Sequence, residues 1–472
     1  MMELHVYHPD SHVNERAYIL RELLGRERKV SLQFHAEPRS DTVITSYDGR
    51  RLTVEDGLLG LSPSEWLSLA SMPVAPLRMD CPEALNSFSR IDPGLPILRQ
   101  HSDNATYYQG DILVSGLGDT TSLHLHADLF GSAFFFLSRY EEVAAPVFDS
   151  FGRFPAMASY AFRHGFLDRP VVDEYRALLD ACLNRLWPNL PPDPAIFRIE
   201  VSHDVDLPLR HAWANWARML GGGFRDFVQT RSVAQFRERA IGWHAVRYRQ
   251  QYERDPYNTF AELMNCSEKR GLRSAFYFIA DRPAGHMDAL YEIDDPFIVS
   301  LISQIHGSGH EVGLHTSFNS FLDAEQTQHE FDRLRTVCER QGVRQQVWGG
   351  RQHFLRWKAP ETLRNWEAAG LNYDATLGFA QCVGFRCGTS REFRPFDLLW
   401  QRTLNLVERP LIVMDATLIN YMRLGTGDAA LATCEKLKRY CEKHEGIFSL
   451  LWHNSNLTSP DMWRLYLDIL DC

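Results

Sequence analysis

Short apolar runs alternate with longer amphipathic segments from about residue 195 to the end of the chain. The runs have strand length and lie at residues 196–201, 273–280, 311–314, 411–414 and 447–452. The amphipathic segments repeat apolar positions every three or four residues, as helices do, and lie at residues 258–271, 295–306, 325–341 and 361–369. Strands that alternate with helices predict a parallel sheet, closed or nearly closed into a barrel.

The first 190 residues follow a different pattern. It predicts an amphipathic helix at residues 15–24, a strand at residues 29–35 and a hairpin turn at Asp48-Gly49. A proline-rich stretch at residues 188–194 then reads as a stiff linker. The sequence therefore predicts a separate α+β domain at residues 1–190, whose role it leaves open, and a second domain at residues 195–472.

An arginine-rich segment at about residues 210–254 interrupts the second domain and is broken by three glycines at residues 221–223. It directly follows the first strand of that domain, so we expect a helical insertion that covers the mouth of a site. Its positive charge could attract a phosphorylated or otherwise anionic glycan carrier. A solvated helix face is the simpler alternative.

Composition narrows the class of protein. The 472 residues are 44% hydrophobic and 23% charged, as in a folded globular chain. The formal charge of −10 argues against a general nucleic-acid binder. Residues 1–6 lack the basic and apolar regions of a secretion signal, and no apolar stretch approaches a membrane span, so we expect a cytoplasmic protein. Nine scattered cysteines favour reduced thiols over disulfides.

Polar side chains follow three of the predicted strands. Asp204 and Asp206 come after the first strand of the second domain, His315 after the run at residues 311–314, and His453 after the last strand. In parallel sheets catalytic groups gather at this edge. Carboxylates at i and i+2 point to the same side of an extended chain, so one can hold a metal while the other handles protons. The sequence therefore predicts a metal-dependent hydrolase.

The order of these segments resembles the polysaccharide deacetylases, which share the NodB-homology domain of carbohydrate esterase family 4. The resemblance covers roughly residues 195–472 and implies a distorted (β/α) barrel with a divalent metal, expected to be zinc. It implies a role for each matching position: Asp204 is the base, Asp206 and His315 are metal ligands, Arg351 orients the base, Asp374 belongs to a fourth catalytic segment, and His453 is the acid.

One position departs from the family pattern. Asn319 stands where the family has its second metal-binding histidine, four residues after His315 and on the same face if a helix begins there. A neutral amide oxygen is a poorer ligand for zinc-like ions than an imidazole nitrogen. Asn319 could still ligate the metal or could bind loop backbone, and His353 could supply the missing nitrogen.

Two further residues are candidates for substrate contact. Arg386 lies in a loop that resembles one in related chains, and Trp452 could stack on a sugar face. The alternatives are a salt-bridged arginine and a core tryptophan.

These observations together predict removal of an acetyl group from an N-acetylated sugar or polysaccharide precursor, with a carbohydrate or carrier-linked glycan as the partner. Two other readings remain open. One is a non-catalytic carbohydrate-binding or assembly protein on the same fold. The other is a metal-independent C–N hydrolase of a small ureide.

Overall fold

The computed structural model describes residues 2–25, 28–86, 90–99, 113–119, 121–213, 216 and 233–472. Its strands are, in chain order, β1 (Met2–Pro9), β2 (Val30–Glu37), β3 (Asp41–Thr45), β4 (Arg51–Glu55), β5 (Val74–Met79), β6 (Leu95–Arg99), β7 (Val114–Ser115), β8 (Ser122–Leu125), β9 (Arg198–Val205), β10 (Ser274–Ile279), β11 (Glu311–His315), β12 (Gly349–Arg351), β13 (Tyr373–Asp374), β14 (Phe396–Asp397), β15 (Arg402–Thr403), β16 (Val407–Glu408), β17 (Val413–Met414) and β18 (Ile447–Leu451).

The α-helices are α1 (Val13–Leu24), α2 (Glu83–Asn86), α3 (Leu129–Leu137), α4 (Tyr140–Ala144), α5 (Tyr160–Arg163), α6 (Val171–Leu186), α7 (Val233–Arg249), α8 (Phe260–Glu268), α9 (Pro296–Gly307), α10 (Ala324–Arg340), α11 (Glu361–Ala368), α12 (Asp428–Lys443) and α13 (Pro460–Asp471). The chain divides into two compact units. The first comprises Met1–Arg198, Leu355–Ile412 and Lys436–Phe448, and the second comprises Ile199–Phe354, Val413–Glu435 and Ser449–Cys472.

The first unit contains a six-stranded mixed sheet in the order β2-β1-β3-β4-β8-β7. Alternation decides which side chains β4 buries: Leu52 and Val54 are buried, while Thr53 and Glu55 on the other face are half-buried. Helix α3 is buried along its whole length. Its N-terminus is capped by Asp128, whose Oδ1 accepts a hydrogen bond from the Gly131 N–H at 2.8 Å.

The second unit contains strands in the order β12-β11-β10-β9-β18-β17. Strand β10 pairs in parallel with both β9 and β11, and all six of its residues are buried, as expected for the interior of a parallel sheet. Helices α8, α9 and α10 each lie between successive strands of the sequence from β9 to β12. The prediction of an α/β fold with a parallel sheet is therefore confirmed, while its distorted-barrel form stays a prediction.

The compact units follow long-range contacts rather than chain order. The predicted division near residue 190 lies close to the end of the first segment at Arg198, but residues 355–412 and 436–448 join the first unit instead of staying with residues 195–354. Hydrogen bonds within the first unit account for this, such as the one that Ser390 Oγ donates to Asp173 Oδ2 at 2.8 Å. The division predicted from the sequence, into domains at residues 1–190 and 195–472, stays a prediction.

The arginine-rich insertion is described only in part. Residues 214, 215 and 217–232, which include the glycines at 221–223, lie outside the described residues, and the C-terminal part of the insertion forms α7. Across the part of the chain that the structure describes, no helix has the length and apolar character needed to span a membrane.

Candidate active site

The carboxyl end of β9 carries the two predicted carboxylates. Strand β9 runs through Asp204 to Val205, and Asp206 follows directly. Both side chains reach His315 at the end of β11: its Nε2 lies 3.1 Å from Asp206 Oδ1 and 3.7 Å from Asp204 Oδ2. The i, i+2 spacing therefore does bring both carboxylates to one site, as alternation along a strand predicts.

His315 and His353 approach each other from neighbouring strands. His315 pairs with Arg351 in the parallel register of β11 and β12, and His353 is the second residue after the end of β12. The strands come close because residue 350 is glycine, where a Cβ would lie 1.7 Å from the carbonyl oxygen of Leu314. His353 Nδ1 lies 3.0 Å from His315 Nε2.

The backbone just after His353 has an unusual conformation. Phe354 and Leu355 both have positive φ angles, of 60° and 54°. Non-glycine residues in the left-handed region are strained, and such residues cluster at functional sites. This turn fixes the chain direction immediately after His353 and so contributes to the placement of its ring.

Asp206, His315 and His353 together form a suitable set of metal ligands. Their donor atoms are 3.0–3.5 Å apart: Asp206 Oδ1 to His315 Nε2 is 3.1 Å, His315 Nε2 to His353 Nδ1 is 3.0 Å, and His353 Nδ1 to Asp206 Oδ1 is 3.5 Å. A tetrahedral zinc site with bonds of about 2.0–2.1 Å has ligand atoms roughly 3.3 Å apart. The spacing of the three atoms therefore fits one small divalent ion.

The hydrogen bonds behind the two rings aim their lone pairs at this point. His315 Nδ1 lies 2.8 Å from the Arg351 carbonyl oxygen, and His353 Nε2 lies 2.9 Å from the Met287 carbonyl oxygen. A carbonyl only accepts, so these nitrogens carry the protons and the opposite nitrogens of the neutral rings present lone pairs. Two lone pairs and a carboxylate oxygen repel one another unless a proton or a metal cation lies between them. The donor set thus suits a bound metal.

Arg351 holds the second carboxylate, Asp204. Its Nη1 donates to Asp204 Oδ1 at 2.7 Å and its Nη2 donates to Ser202 Oγ at 2.9 Å, with both charged side chains buried. Burial raises the pKa of Asp204, but the positive charges of Arg351, His315 and His453 outweigh it, so the net shift is downward. Asp204 is therefore an ionised carboxylate with a fixed orientation at neutral pH.

His453 forms a pair with Asp415 on the next strand of the sheet. Asp415 follows β17, and its Oδ1 lies 2.8 Å from His453 Nδ1. The other imidazole nitrogen, Nε2, lies 3.6 Å from Asp206 Oδ2. Burial lowers the pKa of His453, but Asp415, Asp206 and Asp204 outweigh it and raise the pKa to about 10. His453 therefore carries a proton that it can donate on the side of the metal ligands.

The two candidate ligand histidines, His315 and His353, have opposite pKa shifts. For His315, the carboxylates of Asp204 and Asp206 outweigh burial and raise the pKa. For His353, burial and the neighbouring His315 prevail over Asp206, so its pKa is lowered. The neutral form of His353, the form that binds metals, is therefore favoured.

Asn319 does not share a helix face with His315. Strand β11 ends at His315, and a short 3₁₀ helix begins only at Ser320, so the condition for the predicted i, i+4 geometry is not met. Asn319 is exposed, whereas His315 and His353 are both buried. Its role as a metal ligand stays an untested prediction, and His353 is the histidine that lies with Asp206 and His315.

Asp374 belongs to the first unit. It is buried beside Glu408, and Thr376 Oγ1 donates a hydrogen bond to its carboxylate. Burial and the nearby Asp374 raise the pKa of Glu408 well above its usual range. These contacts describe a buried carboxyl pair, and the catalytic role of Asp374 stays a prediction.

The two residues predicted to contact substrate, Trp452 and Arg386, are both buried against other side chains. Trp452 is completely buried, with its ring centroid 5.3 Å from that of Tyr466, so it has no free face for a sugar. Arg386 is buried in the first unit and donates from Nε and Nη2 to the two carboxylate oxygens of Glu142 at 3.0 and 2.7 Å. The alternatives of a core tryptophan and a salt-bridged arginine therefore describe both residues.

The buried pair of Arg386 and Glu142 is expected to contribute to the stability of the first unit. We expect Arg386→Met to lower the free energy of unfolding by at most about 3–5 kcal/mol, because it removes one of the two buried arginines that pair with Glu142 and leaves only Arg139, whose Nε lies 2.9 Å from Glu142 Oε1. Glu142→Gln should cost a similar amount, and combining both changes should cost less than the sum. Denaturant unfolding of the three variants measures this. A large loss for Arg386→Met with none for Glu142→Gln would show that the pair is not the source.

Asp415 is the site residue that the sequence reasoning missed. The strand before it was predicted at residues 411–414, and an aspartate follows this apolar run just as Asp204 ends the run in β9. The same strand-end rule, applied to every predicted strand, would have identified it. Asp374 was chosen instead from the family resemblance.

A family model described as a family of unknown function (DUF7033) matches residues 4–188. No curated protein matches this chain.

Solved structures that resemble the chain do so remotely. A putative polysaccharide deacetylase from Mycobacterium smegmatis is 14% identical with a TM-score of 0.37, covering 59% of this chain and 84% of that one. The Puue allantoinase is 12% identical with a TM-score of 0.37, covering 59% and 85%. A BA3943 mutant, a CE4 family pseudoenzyme with restored enzymatic activity, is 10% identical with a TM-score of 0.30, covering 59% and 62%. At these TM-scores the likenesses carry no argument about chemistry.

Proposed function

We propose that this chain is a metal-dependent hydrolase of non-peptide C–N bonds that removes an acetyl group from an N-acetylated sugar or polysaccharide precursor. The observation that carries the proposal is the placement of three different chemical functions at one sheet edge. A ligand set (Asp206, His315 and His353), an ionised carboxylate (Asp204) and a protonated imidazole (His453) lie together. Amide hydrolysis needs these three functions.

A divalent ion bound by the three ligands would polarise the acyl oxygen and acidify a water molecule. The remaining work belongs to side chains of this chain. Asp204 accepts a proton from the attacking water while the water oxygen bonds to the acyl carbon. Arg351 keeps the Asp204 carboxylate ionised and in place. His453 donates its proton to the amide nitrogen as the C–N bond breaks. The products are acetate and the free amine.

The preference for an acetylated sugar rests on the resemblance to polysaccharide deacetylases in the ordered segments around Asp204, His315 and His453. The direct test is acetate release from N-acetylated mono- and oligosaccharides by zinc-loaded protein. We expect turnover that chelation abolishes and one equivalent of zinc restores, with the Asp204→Asn/His453→Ala double variant as the inactive control.

Each alternative function would give a different result. Turnover of a ureide that persists after chelation would support a metal-independent C–N hydrolase. Carbohydrate binding without acetate release, under every metal loading, would support a non-catalytic binding protein. Either result would contradict the proposed deacetylation.

Asp415 is proposed as a positioning residue for His453. We expect Asp415→Asn to lower kcat about 10- to 100-fold, since general acid catalysis contributes about 10²–10⁴ and the imidazole would lose its orienting carboxylate. KM and zinc content should stay unchanged, which separates this effect from a general loss of structure. Asn456→Ala is the matched control: it removes the hydrogen bond that Asn456 Nδ2 donates to the same carboxylate at 2.8 Å, and it keeps the backbone N–H that donates to the His453 carbonyl oxygen. An equal loss in both variants would contradict the positioning role.

A further inference from the structure

A second cluster of metal-binding side chains lies in the first unit, on the mixed sheet. His124 on β8 and His126 just after it are spaced i, i+2, so their side chains share one face of the strand. The parallel register of β4 and β8 pairs Val54 with Leu125, which brings Glu55 level with His126. Val54 and Leu125 are buried, so Glu55 and the two histidines lie on the opposite, outer face.

The donor atoms of these three residues converge. Glu55 Oε1 lies 3.0 Å from His126 Nδ1 and 3.6 Å from His124 Nε2, and the imidazole centroids are 4.0 Å apart. All three donor atoms lie within 4.8 Å of one another, and the side chains are half-buried. Two imidazole nitrogens and one carboxylate oxygen form a common ligand set for zinc and neighbouring divalent transition ions.

Surrounding contacts orient the ligands. Ser115 on β7 lies with its Oγ 2.8 Å from His126 Nε2, so this nitrogen has its own partner and Nδ1 is directed at Glu55. Metal-binding histidines are held in this way through the nitrogen that does not bind the metal. His124 Nε2 is buried and has no hydrogen-bond partner among the described residues. A cation between Glu55, His124 and His126 would satisfy that nitrogen.

The local electrostatics agree with a neutral, metal-binding imidazole. Burial and the neighbouring His126 together outweigh the attraction of Glu55, so the pKa of His124 is lowered. The ion pairs described for the Glu55 carboxylate are those with His124 and His126.

We propose that Glu55, His124 and His126 form a second metal site, distinct from the candidate active site, that binds a divalent transition ion of the zinc type. The ion would link β4 to β8 on the outer face of the sheet. The proposal does not depend on the hydrolase function, because every ligand lies in the first unit.

Zinc binding by the full chain tests this inference independently of the first site. After chelation, the protein carrying Asp206→Ala is dialysed against zinc and its zinc content is measured. We expect one ion per chain, lost when His126→Ala or Glu55→Gln is added. His329→Ala in the same background is the control, since His329 is an exposed histidine outside the cluster. Zinc retained at the parent level in both the His126→Ala and Glu55→Gln proteins would overturn the proposal.

Two readouts keep the test independent of folding. Thermal unfolding in chelator should be alike for the parent and the variants, whereas the zinc-dependent rise in melting temperature should be lost with the His126 and Glu55 changes. Cobalt(II) added to the Asp206→Ala protein should give a visible ligand-field band that His126→Ala removes. If His126→Ala does not fold, His124→Gln takes its place, with the same loss expected. An unchanged cobalt spectrum in a folded variant would also overturn the inference.

Discussion

Replacing His353 with alanine is expected to lower the zinc affinity of the candidate active site at least about 100-fold, since even outer partners of metal ligands cost about 10–100-fold. The reason is geometric: His353 Nδ1 is one of three donor atoms that lie 3.0–3.5 Å apart. Acetate release at limiting zinc should fall in parallel, and excess zinc should restore part of it. Equilibrium dialysis against zinc measures the affinity.

Asn319→Ala is the matched control for that prediction. Asn319 stands at the position where the resembled family has a histidine, yet it is exposed and lies outside the helix that its spacing required. We expect zinc affinity in this variant to stay close to that of the unchanged protein. If Asn319→Ala loses zinc and His353→Ala keeps it, the ligand set is the one that the resemblance alone implied.

The second prediction with a large expected effect distinguishes the role of Asp204 from that of Asp206. Asp204→Asn should lower kcat about 10²- to 10⁴-fold, because it removes the general base while keeping the shape of the side chain. Its zinc content should stay unchanged. Asp206→Ala should instead lower zinc content, because Asp206 supplies a ligand atom. Full activity in Asp204→Asn would show that the base is assigned to the wrong residue.

Stability needs a separate control in the Asp204 experiment. Asp204→Asn removes the carboxylate that pairs with the buried Arg351, and breaking a buried ion pair costs about 3–5 kcal/mol. Circular dichroism and unfolding midpoints should therefore accompany the kinetics. Arg351→Met breaks the same pair from the other side while keeping the carboxylate. A comparable loss of stability with higher residual activity in Arg351→Met would separate structural from chemical effects.

Much of the second unit could be predicted because its signals are local. An apolar run followed by charged residues marks a buried strand and its carboxyl end, and this was enough to place Asp204, Asp206, His315 and His453 at one edge. Strand alternation also predicted that both carboxylates would reach one site. These rules depend only on residues that are close in the sequence, so tertiary contacts do not change what they predict.

The proposed ligand role of His353 could not be derived in the same way. Its approach to His315 depends on the close pairing of β11 with β12 and on the left-handed turn at Phe354, and neither is visible in the local pattern. The sequence could therefore only leave His353 as an option beside Asn319. The choice between them is a consequence of tertiary structure.

Asp374 and Asp415 illustrate the same limit. Each aspartate stands at the carboxyl end of a short strand, Asp374 as the last residue of β13 and Asp415 directly after β17, so the local pattern does not distinguish them. Only the hydrogen bond to His453 Nδ1 selects Asp415. The burial of Arg386 and Trp452 is likewise a tertiary property that the local sequence does not show, and their contact with substrate stays a prediction.

Anomalous diffraction at the zinc absorption edge, from crystals of the zinc-loaded protein, tests the central claim most directly. We predict a peak bonded to Asp206 Oδ1, His315 Nε2 and His353 Nδ1 at about 2.0–2.2 Å, with Asp204 beside it and not ligating. The account would be contradicted by zinc bound through Asn319 with His353 turned away, or by no peak among these three side chains.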